Sequence, residues 1–259
     1  MSIVSREKKV NLFDFNFDLI NSENEAIEYS LSKKKRSSNL LPIIFTPNID
    51  YLVNLNRPKY FSLKKNLQKC NYIFVDGQPI IWLSKLLSKN YLKKRLSGTD
   101  LFSLLSEKIK KRKLSTLVLC PNEEVEKKVL LDFENIQTYI PNFFNLDSKT
   151  ELDAIVKEVN KVVTLYDVQV VVVGIGFPRR ELITTRYFDQ IKGDTHPLFC
   201  MLGAALEFHY GLKKRAPIFM QKNGMEWLHR FLSEPIRLFE RYFIKSWLIL
   251  PLIIKEMRK

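Results

Sequence analysis

The sequence predicts an α/β protein in which one mostly parallel sheet carries helices on both faces. Short runs of apolar residues, which are typical of buried strands, alternate along the chain with longer segments of helical periodicity. Three polar or glycine-containing segments, residues 46–48, 76–77 and 174–181, each directly follow a predicted strand. Ligands of open α/β sheets bind beyond the carboxyl ends of the strands. These segments therefore indicate both the fold class and the edge of the sheet at which a functional site is expected.

The predicted strands are short and rich in β-branched and aromatic residues. The strongest signal is the run of valines that ends at Val173, whereas the first strand region is assigned only from an alternation of polar and apolar residues. Pro47 follows the strand that ends at Phe45, and because proline cannot donate a ladder hydrogen bond, it ends the pairing. The predicted strands cover residues 10–20, 40–45, 71–75, 114–120, 136–140, 168–173 and 197–202.

Helical periodicity fills the segments between these strands. Ser22 and Glu25 have the spacing of a capping box, and Pro178 stands where the first turn of a helix tolerates proline. A polar loop over residues 95–101 opens a further helix, which ends in a basic stretch. The other predicted helices cover residues 22–32, 49–55, 58–68, 79–87, 122–131, 148–163, 220–232 and 236–259.

The formal net charge of +14 over 259 residues indicates an anionic partner: a nucleic acid, a membrane surface or a phosphorylated substrate. The hydrophobic fraction of 46% is ordinary for a globular protein, and the length fits one large domain, with or without an appendage. The three cysteines, Cys70, Cys120 and Cys200, are widely spaced and form no CxxC pair. We therefore expect a reducing compartment, and neither a disulfide framework nor a zinc site.

The sequence predicts no segment that crosses a membrane. Residues 1–11 are polar and lack the apolar core of a signal peptide. The longest apolar run, residues 247–254, is too short to span a bilayer. We therefore expect a cytoplasmic protein, with attachment to a membrane surface left open.

Basic and aromatic residues are concentrated in residues 213–259, which we call the C-terminal segment. Helices that are basic on one side and aromatic on the other bind membrane interfaces, but an ordinary amphipathic helix that packs on its own domain has the same pattern. Both interpretations stand for residues 236–259, and internal packing is favoured for residues 220–232. The expected organisation is an α/β domain over residues 1–212 and a basic helical appendage over residues 213–259.

Asp76 is the first candidate for chemistry, because it follows a buried strand and precedes the turn residue Gly77. A carboxylate there can act as a general base if it reaches the proton it must remove, or it can only cap the next helix. Thr46 and Asn48 offer a hydroxyl and an amide at the end of another strand, again as ligand contacts or as a helix cap. Gly98, at a helix start, can bind an anion through backbone N–H groups or merely belong to a capped loop.

The segment that follows the valine strand suits a phosphate-bearing ligand. Gly174 and Gly176 let the backbone approach a ligand closely, and Arg179 and Arg180 supply cations suited to phosphate. No third glycine completes a GxGxxG fingerprint, and the Lys-Ser/Thr pair of a P-loop is missing. The segment favours nucleotide binding without matching either motif.

Taken together, motifs over nearly the whole chain resemble the WecG/TagA/CpsF glycosyltransferases of bacterial surface-polysaccharide synthesis. Each motif is weak by itself, but their common order makes the resemblance specific. The matches before the C-terminal segment are Thr46-Pro47-Asn48, Val75-Asp76-Gly77 with Trp82, Arg95, Gly98-Thr99-Asp100-Leu101, residues 173–181 and Gly203-Ala204. The matches within it are Lys214-Arg215-Ala216-Pro217, Met220-Gln221, Gly224-Met225-Glu226-Trp227, Arg230, Glu234-Pro235, Arg237 and Arg241.

The resemblance implies an inverting sugar transferase with a Rossmann-like catalytic domain. The donor would be a UDP-sugar that carries N-acetylmannosamine, its uronic acid or another hexose, and the acceptor a polyprenyl-diphosphate-linked sugar at the inner membrane face. Asp76 would be the catalytic base, and Thr46 would also serve in the active site. The appendage would close over the site and touch the membrane. The resemblance implies neither a metal nor a cofactor, and self-association is left open.

The leaving diphosphate gathers negative charge in such a reaction, so positioned cations should stabilise the transition state most strongly there. Arg215, Arg237 and Arg241 are the first candidates, with Arg179 and Arg180 behind them. The full set of expected substrate contacts is Asn48, Gly77, Arg95, Asp100, Gly174, Gly176, Arg179, Arg180, Glu181, Arg215, Gln221, Arg237 and Arg241.

Two positions depart from the family pattern. The family usually has Lys-Gln where this chain has Arg179-Arg180, and Glu207 replaces a shorter acid, so the same donor cannot be assumed. The sequence contains no Asp-x-Asp pair that would hold a metal. Its histidines likewise lack the spacing of a metal site: His196, His209 and His229.

Two other function classes remain open on the sequence. A nucleic-acid-binding protein would share the net charge, but the basic residues occur with large aromatic residues in the C-terminal segment rather than in a known nucleic-acid module. A membrane-attached nucleotide-binding protein without catalysis would not need the carboxylate of Asp76. We therefore prefer a glycosyltransferase that has no nucleic-acid partner.

Overall fold

The computed structural model describes residues 9–32, 40–193, 196–222, 225–239 and 245–258. Strands and helices alternate through most of this part of the chain. The strands are β1 (Lys9–Leu12), β2 (Phe15–Asp18), β3 (Leu41–Phe45), β4 (Cys70–Ile73), β5 (Thr116–Leu119), β6 (Gln137–Tyr139), β7 (Val170–Val173) and β8 (Leu198–Met201). The helices before the C-terminal segment are α1 (Glu23–Leu31), α2 (Ile49–Leu55), α3 (Phe61–Leu67), α4 (Gln78–Leu87), α5 (Gly98–Arg112), α6 (Glu123–Asp132), α7 (Lys149–Leu165), α8 (Arg179–Gln190) and α9 (Ala205–His209).

Six strands form one parallel sheet in the order β4-β3-β8-β7-β5-β6. The chain leaves β3 toward β4 on one side, whereas β8 is reached from β7 on the other. Because all six strands run parallel, their carboxyl ends share one edge of the sheet, and ligands of open α/β sheets bind beyond that edge. The predicted fold class is confirmed.

Helices cover both faces of this sheet because successive strand residues point to opposite sides. On β7, Val171 and Val173 belong to one hydrophobic cluster, which also contains buried residues of α2, α3, α7 and α8. Val170 and Val172 belong to a second cluster, with residues of α1, α5, α6 and α9. Continuous apolar strands of this kind are expected where both faces are buried.

The first predicted strand region is a hairpin outside the main sheet. β1 and β2 pair antiparallel, and the turn between them places Phe13 and Asp14 at positive φ. The buried carboxylate of Asp18 accepts a hydrogen bond from the backbone N–H of Ile73 at 2.8 Å and pairs with Lys9 at 2.9 Å. The hairpin thereby covers the edge strand β4, whose backbone groups would otherwise lack partners.

The described part of the C-terminal segment is helical but divided. It contains α10 (Ile218–Lys222), α11 (Glu226–Ser233), α12 (Pro235–Phe239), a 3-10 turn at Lys245–Leu248, and α13 (Ile249–Met257). A 3-10 turn separates α13 from the part of the segment that precedes it.

Helix α13 returns to the start of the chain. Leu252 and Ile253 pack against the first hydrophobic cluster. Glu256 accepts a hydrogen bond from the backbone N–H of Phe13 at 3.0 Å, and Lys255 pairs with Asp14 at 3.0 Å. No helix among the described residues combines the length and hydropathy needed to cross a bilayer. All three cysteine thiols are buried and unbridged.

Candidate active site

A cavity of about 610 Å³ lies at the carboxyl edge of the sheet. The segments that follow β3, β4, β7 and β8 line it, together with residues of α11. Six residues that the sequence singled out as site candidates lie in this lining: Thr46, Asn48, Asp76, Gly98, Gly176 and Arg180. Other predicted contacts lie outside it: Gly77, Arg95, Asp100, Gly174, Arg179, Glu181, Arg215 and Gln221. Arg241 and the side chain of Arg237 fall outside the described part of the structure.

The segments after β3 and β4 carry the predicted acid, hydroxyl and amide. The backbone N–H of Asp76 donates to the carbonyl of Pro47 at 3.1 Å, which holds the two segments together beyond the strand ends. Thr46 is buried, and Asp76 is half-buried at the cavity wall. Asn48 accepts a hydrogen bond from the N–H of Tyr51 at 3.2 Å, so it caps α2 while lining the cavity. A cap and a ligand contact are therefore compatible at this position.

Gly77 supplies the turn that directs the chain away from the cavity into α4. Its φ of +142° is one that residues with a side chain rarely adopt. Space is not the constraint, because an added Cβ would lie 3.6 Å from the Cβ of Asn48, an ordinary van der Waals distance. Gly77 therefore has a conformational role: it allows the chain to turn directly after Asp76, which remains at the edge of the sheet.

Arg215 is neutralised by a carboxylate. Its guanidinium binds Asp100 through two hydrogen bonds of 2.6 and 3.0 Å, and Ser97 donates to the same carboxylate at 2.7 Å. Burial opposes ionisation of Asp100, but the hydrogen bonds from Arg215 and Ser97 outweigh it and lower the pKa of Asp100. The hydrogen bonds to Asp100, and more weakly the charges of Glu226 and Asp76, raise the pKa of Arg215. Arg215 therefore binds the loop that begins α5.

A second ion pair joins the C-terminal segment to the α/β domain. Arg95 donates to Glu226, the first residue of α11, at 2.9 Å, and Glu226 is buried. Gln221 instead donates to the carbonyl of Ala216 at 2.6 Å, a contact within the segment. The Arg95–Glu226 pair fixes the start of α11 at the cavity, since Glu226 also belongs to the lining.

The two arginines after the glycine loop diverge. The guanidinium of Arg179 stacks 3.8 Å from the ring centroid of Phe143 and donates to the carbonyl of Phe144 at 3.4 Å, away from the cavity lining. Arg180 is only 4% exposed and lines the cavity. Gly176 lines it too, whereas Gly174 is packed so closely that an added Cβ would lie 2.9 Å from the Leu206 side chain.

Arg180 is held rigidly. Its Nε donates to Glu181 at 2.8 Å, and its Nη2 contacts the same carboxylate at 2.7 Å and donates to the hydroxyl of Tyr51. Burial opposes the charge, but Glu181 and Tyr51 outweigh it and raise the pKa of Arg180. Arg180 is thus a fixed cation, and the fully buried Glu181 anchors it. Gly203 leaves room for Nη1, which would lie 2.5 Å from an added Cβ.

Sequence reasoning missed several residues of the lining. Lys213 was not singled out from the basic C-terminal segment, and Lys214 was part of the Lys214-Arg215-Ala216-Pro217 match but was assigned no role. Lys213 pairs with Glu207 at 3.0 Å. Glu207, one of the positions that departs from the family pattern, therefore binds a lysine and lies outside the lining. His229 was considered only as a metal ligand. The described residues contain no cluster of three or more His, Cys, Asp or Glu suited to a metal ion.

Comparison with known protein families decides among the function classes. The model of the glycosyl transferase WecG/TagA/CpsF family matches residues 10–259. The chain belongs to this family. The resemblance predicted from the motifs is thereby confirmed, and the protein is a glycosyltransferase.

Three similar proteins share one description, N-acetylglucosaminyldiphosphoundecaprenol N-acetyl-beta-D-mannosaminyltransferase. The one from Bacillus spizizenii is 26% identical over 89% of this chain and 84% of its own length. The one from Bacillus subtilis is 26% identical over 69% of this chain and 66% of its own length. The one from Staphylococcus aureus is 27% identical over 65% and 63%, respectively.

Proposed function

We propose that this protein transfers a hexose from a UDP-sugar to a polyprenyl-diphosphate-linked saccharide, with inversion and without a metal. The proposed hexose is N-acetylmannosamine, its uronic acid or a related sugar. The observation that carries the proposal is that one cavity of a family member combines the carboxylate of Asp76 with the fixed cation of Arg180. The names of the relatives support a lipid-diphosphate acceptor and an N-acetylmannosamine donor.

Asp76 is the proposed general base. Its carboxylate takes the proton of the acceptor hydroxyl as that oxygen forms a bond to the anomeric carbon. The bond from the anomeric carbon to the UDP oxygen breaks, and its electron pair leaves with UDP. Because attack and departure occur on opposite faces, the configuration inverts once. In this proposal, the hydroxyl of Thr46, which is buried in the same lining, forms a hydrogen bond with a reacting sugar oxygen.

Positioned cations stabilise the charge that UDP gathers. Arg180 is the foremost candidate in the structure, since its guanidinium is fixed before substrate binds and so needs little reorganisation. Lys214 also lines the cavity and forms no ion pair within the described part of the chain. Arg215 acts indirectly, by holding Asp100, while Arg237 and Arg241 remain candidates from the sequence.

The C-terminal segment is proposed to place the enzyme on the inner face of the membrane. One side of α13 packs on the α/β domain, so the packing interpretation holds for that side. The other side of α13 exposes large apolar residues, with Ile254 50% and Met257 69% exposed, and Trp247 in the preceding 3-10 turn is 67% exposed. In a chain of net charge +14, such a surface suits an anionic lipid interface. The two interpretations left open by the sequence thus apply to different faces.

A direct transfer assay tests the function. The purified protein is incubated with a short polyprenyl-diphosphate-GlcNAc analogue and a panel of UDP-sugars, with and without EDTA, and products are identified by mass spectrometry. One donor should add its sugar mass, equally in EDTA, and the anomeric configuration of the product by NMR should be opposite to that of the donor. The absence of any sugar increment would refute the proposed activity, and loss of product in EDTA would refute metal independence.

A further inference from the structure

Helix α11 presents a polar face to the cavity. Glu226, His229 and Ser233 follow at helical spacing, and all three belong to the cavity lining, as does Glu234 after the helix. Leu232, on the same helix, is 67% exposed. The ion pair between Glu226 and Arg95 fixes the start of the helix. This face is therefore positioned to touch whatever occupies the cavity.

His229 is the residue of this face that internal contacts leave uncommitted. Glu226 is engaged with Arg95, and the hydroxyl of Ser233 donates to the backbone carbonyl of His229 at 2.9 Å. The Nδ1 atom of His229 is shielded from solvent and forms no hydrogen bond with any described residue. A buried polar atom of this kind is unfavourable unless a partner meets it, and such atoms in native proteins call for a specific explanation.

We propose that His229 binds a hydroxyl group of a substrate sugar through its imidazole. The inference rests on the proposed function and assigns one residue to its substrate. A hydroxyl suits this position because it can donate to or accept from a neutral imidazole. A phosphate suits it less, because the neighbouring side chains of this face, Glu226 and Glu234, are carboxylates rather than cations. The cations suited to the diphosphate, Arg180 and Lys214, belong to other segments of the lining.

Two variants separate hydrogen bonding from simple space filling. His229→Leu keeps an apolar body and removes the nitrogens, whereas His229→Asn keeps a polar group near the position of Nδ1. His209→Asn is the matched control, since that histidine contacts Ser103 at 3.0 Å and lies outside the cavity lining. For each protein, kcat and both KM values are measured, with the Kd of UDP by calorimetry and the melting temperature.

We expect His229→Leu to raise the KM of one substrate about tenfold, as for a lost hydrogen bond in a water-excluded site, and to leave the Kd of UDP unchanged. His229→Asn should recover most of that loss, and His209→Asn should match the wild type. A raised KM for the UDP-sugar assigns the contact to the transferred sugar, and a raised KM for the lipid-linked substrate assigns it to the acceptor.

Three outcomes would overturn the assignment. Both KM values of His229→Leu could equal those of the wild type. The Kd of UDP could weaken in parallel with KM, which would mean a nucleotide contact. Both His229 variants could lose melting temperature and activity alike, which would mean a structural role. Failure of the proposed function itself would appear earlier, as a wild-type protein without turnover.

Discussion

Replacing Gly203 with alanine tests whether Arg180 is held rigidly at the cavity. The φ of Gly203 is +58°, and the new methyl group would lie 2.5 Å from Nη1 of Arg180, closer than real Cβ contacts allow. Either the backbone or the guanidinium must therefore shift. The guanidinium resists this movement because its other nitrogens are bound to Glu181 and Tyr51.

The expected cost has two parts. The left-handed backbone costs an alanine about 1 to 2 kcal/mol. Disturbing a buried ion pair costs up to about 3 to 5 kcal/mol when it is fully broken, and local relaxation recovers part of this. We expect Gly203→Ala to lower the free energy of unfolding by about 3 kcal/mol in total. Gly211 provides the control, since its φ is +73° but no atom lies within 4 Å of an added Cβ. Gly211→Ala should cost only about 1 kcal/mol.

Urea and thermal unfolding measure this difference directly. A gap of about 2 kcal/mol between the two variants corresponds to about 4 to 8 °C in melting temperature for a protein of this size. In the transfer assay, Gly203→Ala should lose about tenfold or more in kcat/KM, because a displaced Arg180 no longer meets the leaving diphosphate. Equal destabilisation by the two substitutions would refute the rigid anchoring of Arg180, and full activity of Gly203→Ala would refute its catalytic role.

Three further predictions concern the base, the loop ion pair and the membrane surface. Asp76→Asn should lower kcat by about 10² to 10⁴ while the Kd of UDP is unchanged, and near-normal turnover would exclude Asp76 as the base. The lowered pKa of Asp100 means that its pairing with Arg215 stabilises the fold above the unfolded-state pKa of about 4, an effect lost as pH falls through the lower folded-state value. The stability gap between wild type and Asp100→Asn, followed by urea unfolding, should therefore be constant at neutral pH and shrink in acid; a gap that does not change with pH would contradict this. Replacing the exposed Trp247 and Ile254 with serine should reduce co-sedimentation with anionic vesicles without changing the melting temperature, and full retention on vesicles would argue against membrane contact there.

The type and order of most helices and strands can be recognised from local sequence patterns. Buried parallel strands are continuously apolar and helices have a period of 3.6 residues, so both patterns are local and can be recognised without a partner. The same reasoning located Thr46, Asp76 and Gly176 at strand ends, because the carboxyl ends of parallel strands share one edge. The hairpin at the start of the chain was missed, since two residues at positive φ, Phe13 and Asp14, carry no distinctive sequence signal.

Only the tertiary structure decided which charges are available to a substrate. Arg215 and Asp100 lie 115 residues apart in the sequence, and Arg95 and Glu226 lie 131 apart, so no local pattern relates them. A cation that binds a carboxylate away from the cavity looks the same in a sequence as Arg180, which is paired with Glu181 but lines the cavity.

The neighbouring arginines of α8 show most plainly that the sequence does not reveal which cation faces the cavity. Successive residues of a helix point in directions about 100° apart. The packing of α8 against the sheet therefore turns Arg179 onto Phe143 and Arg180 into the cavity. The sequence supplies two identical side chains, and the rotation of the helix, fixed by contacts distant in the chain, decides which of them can meet the substrate.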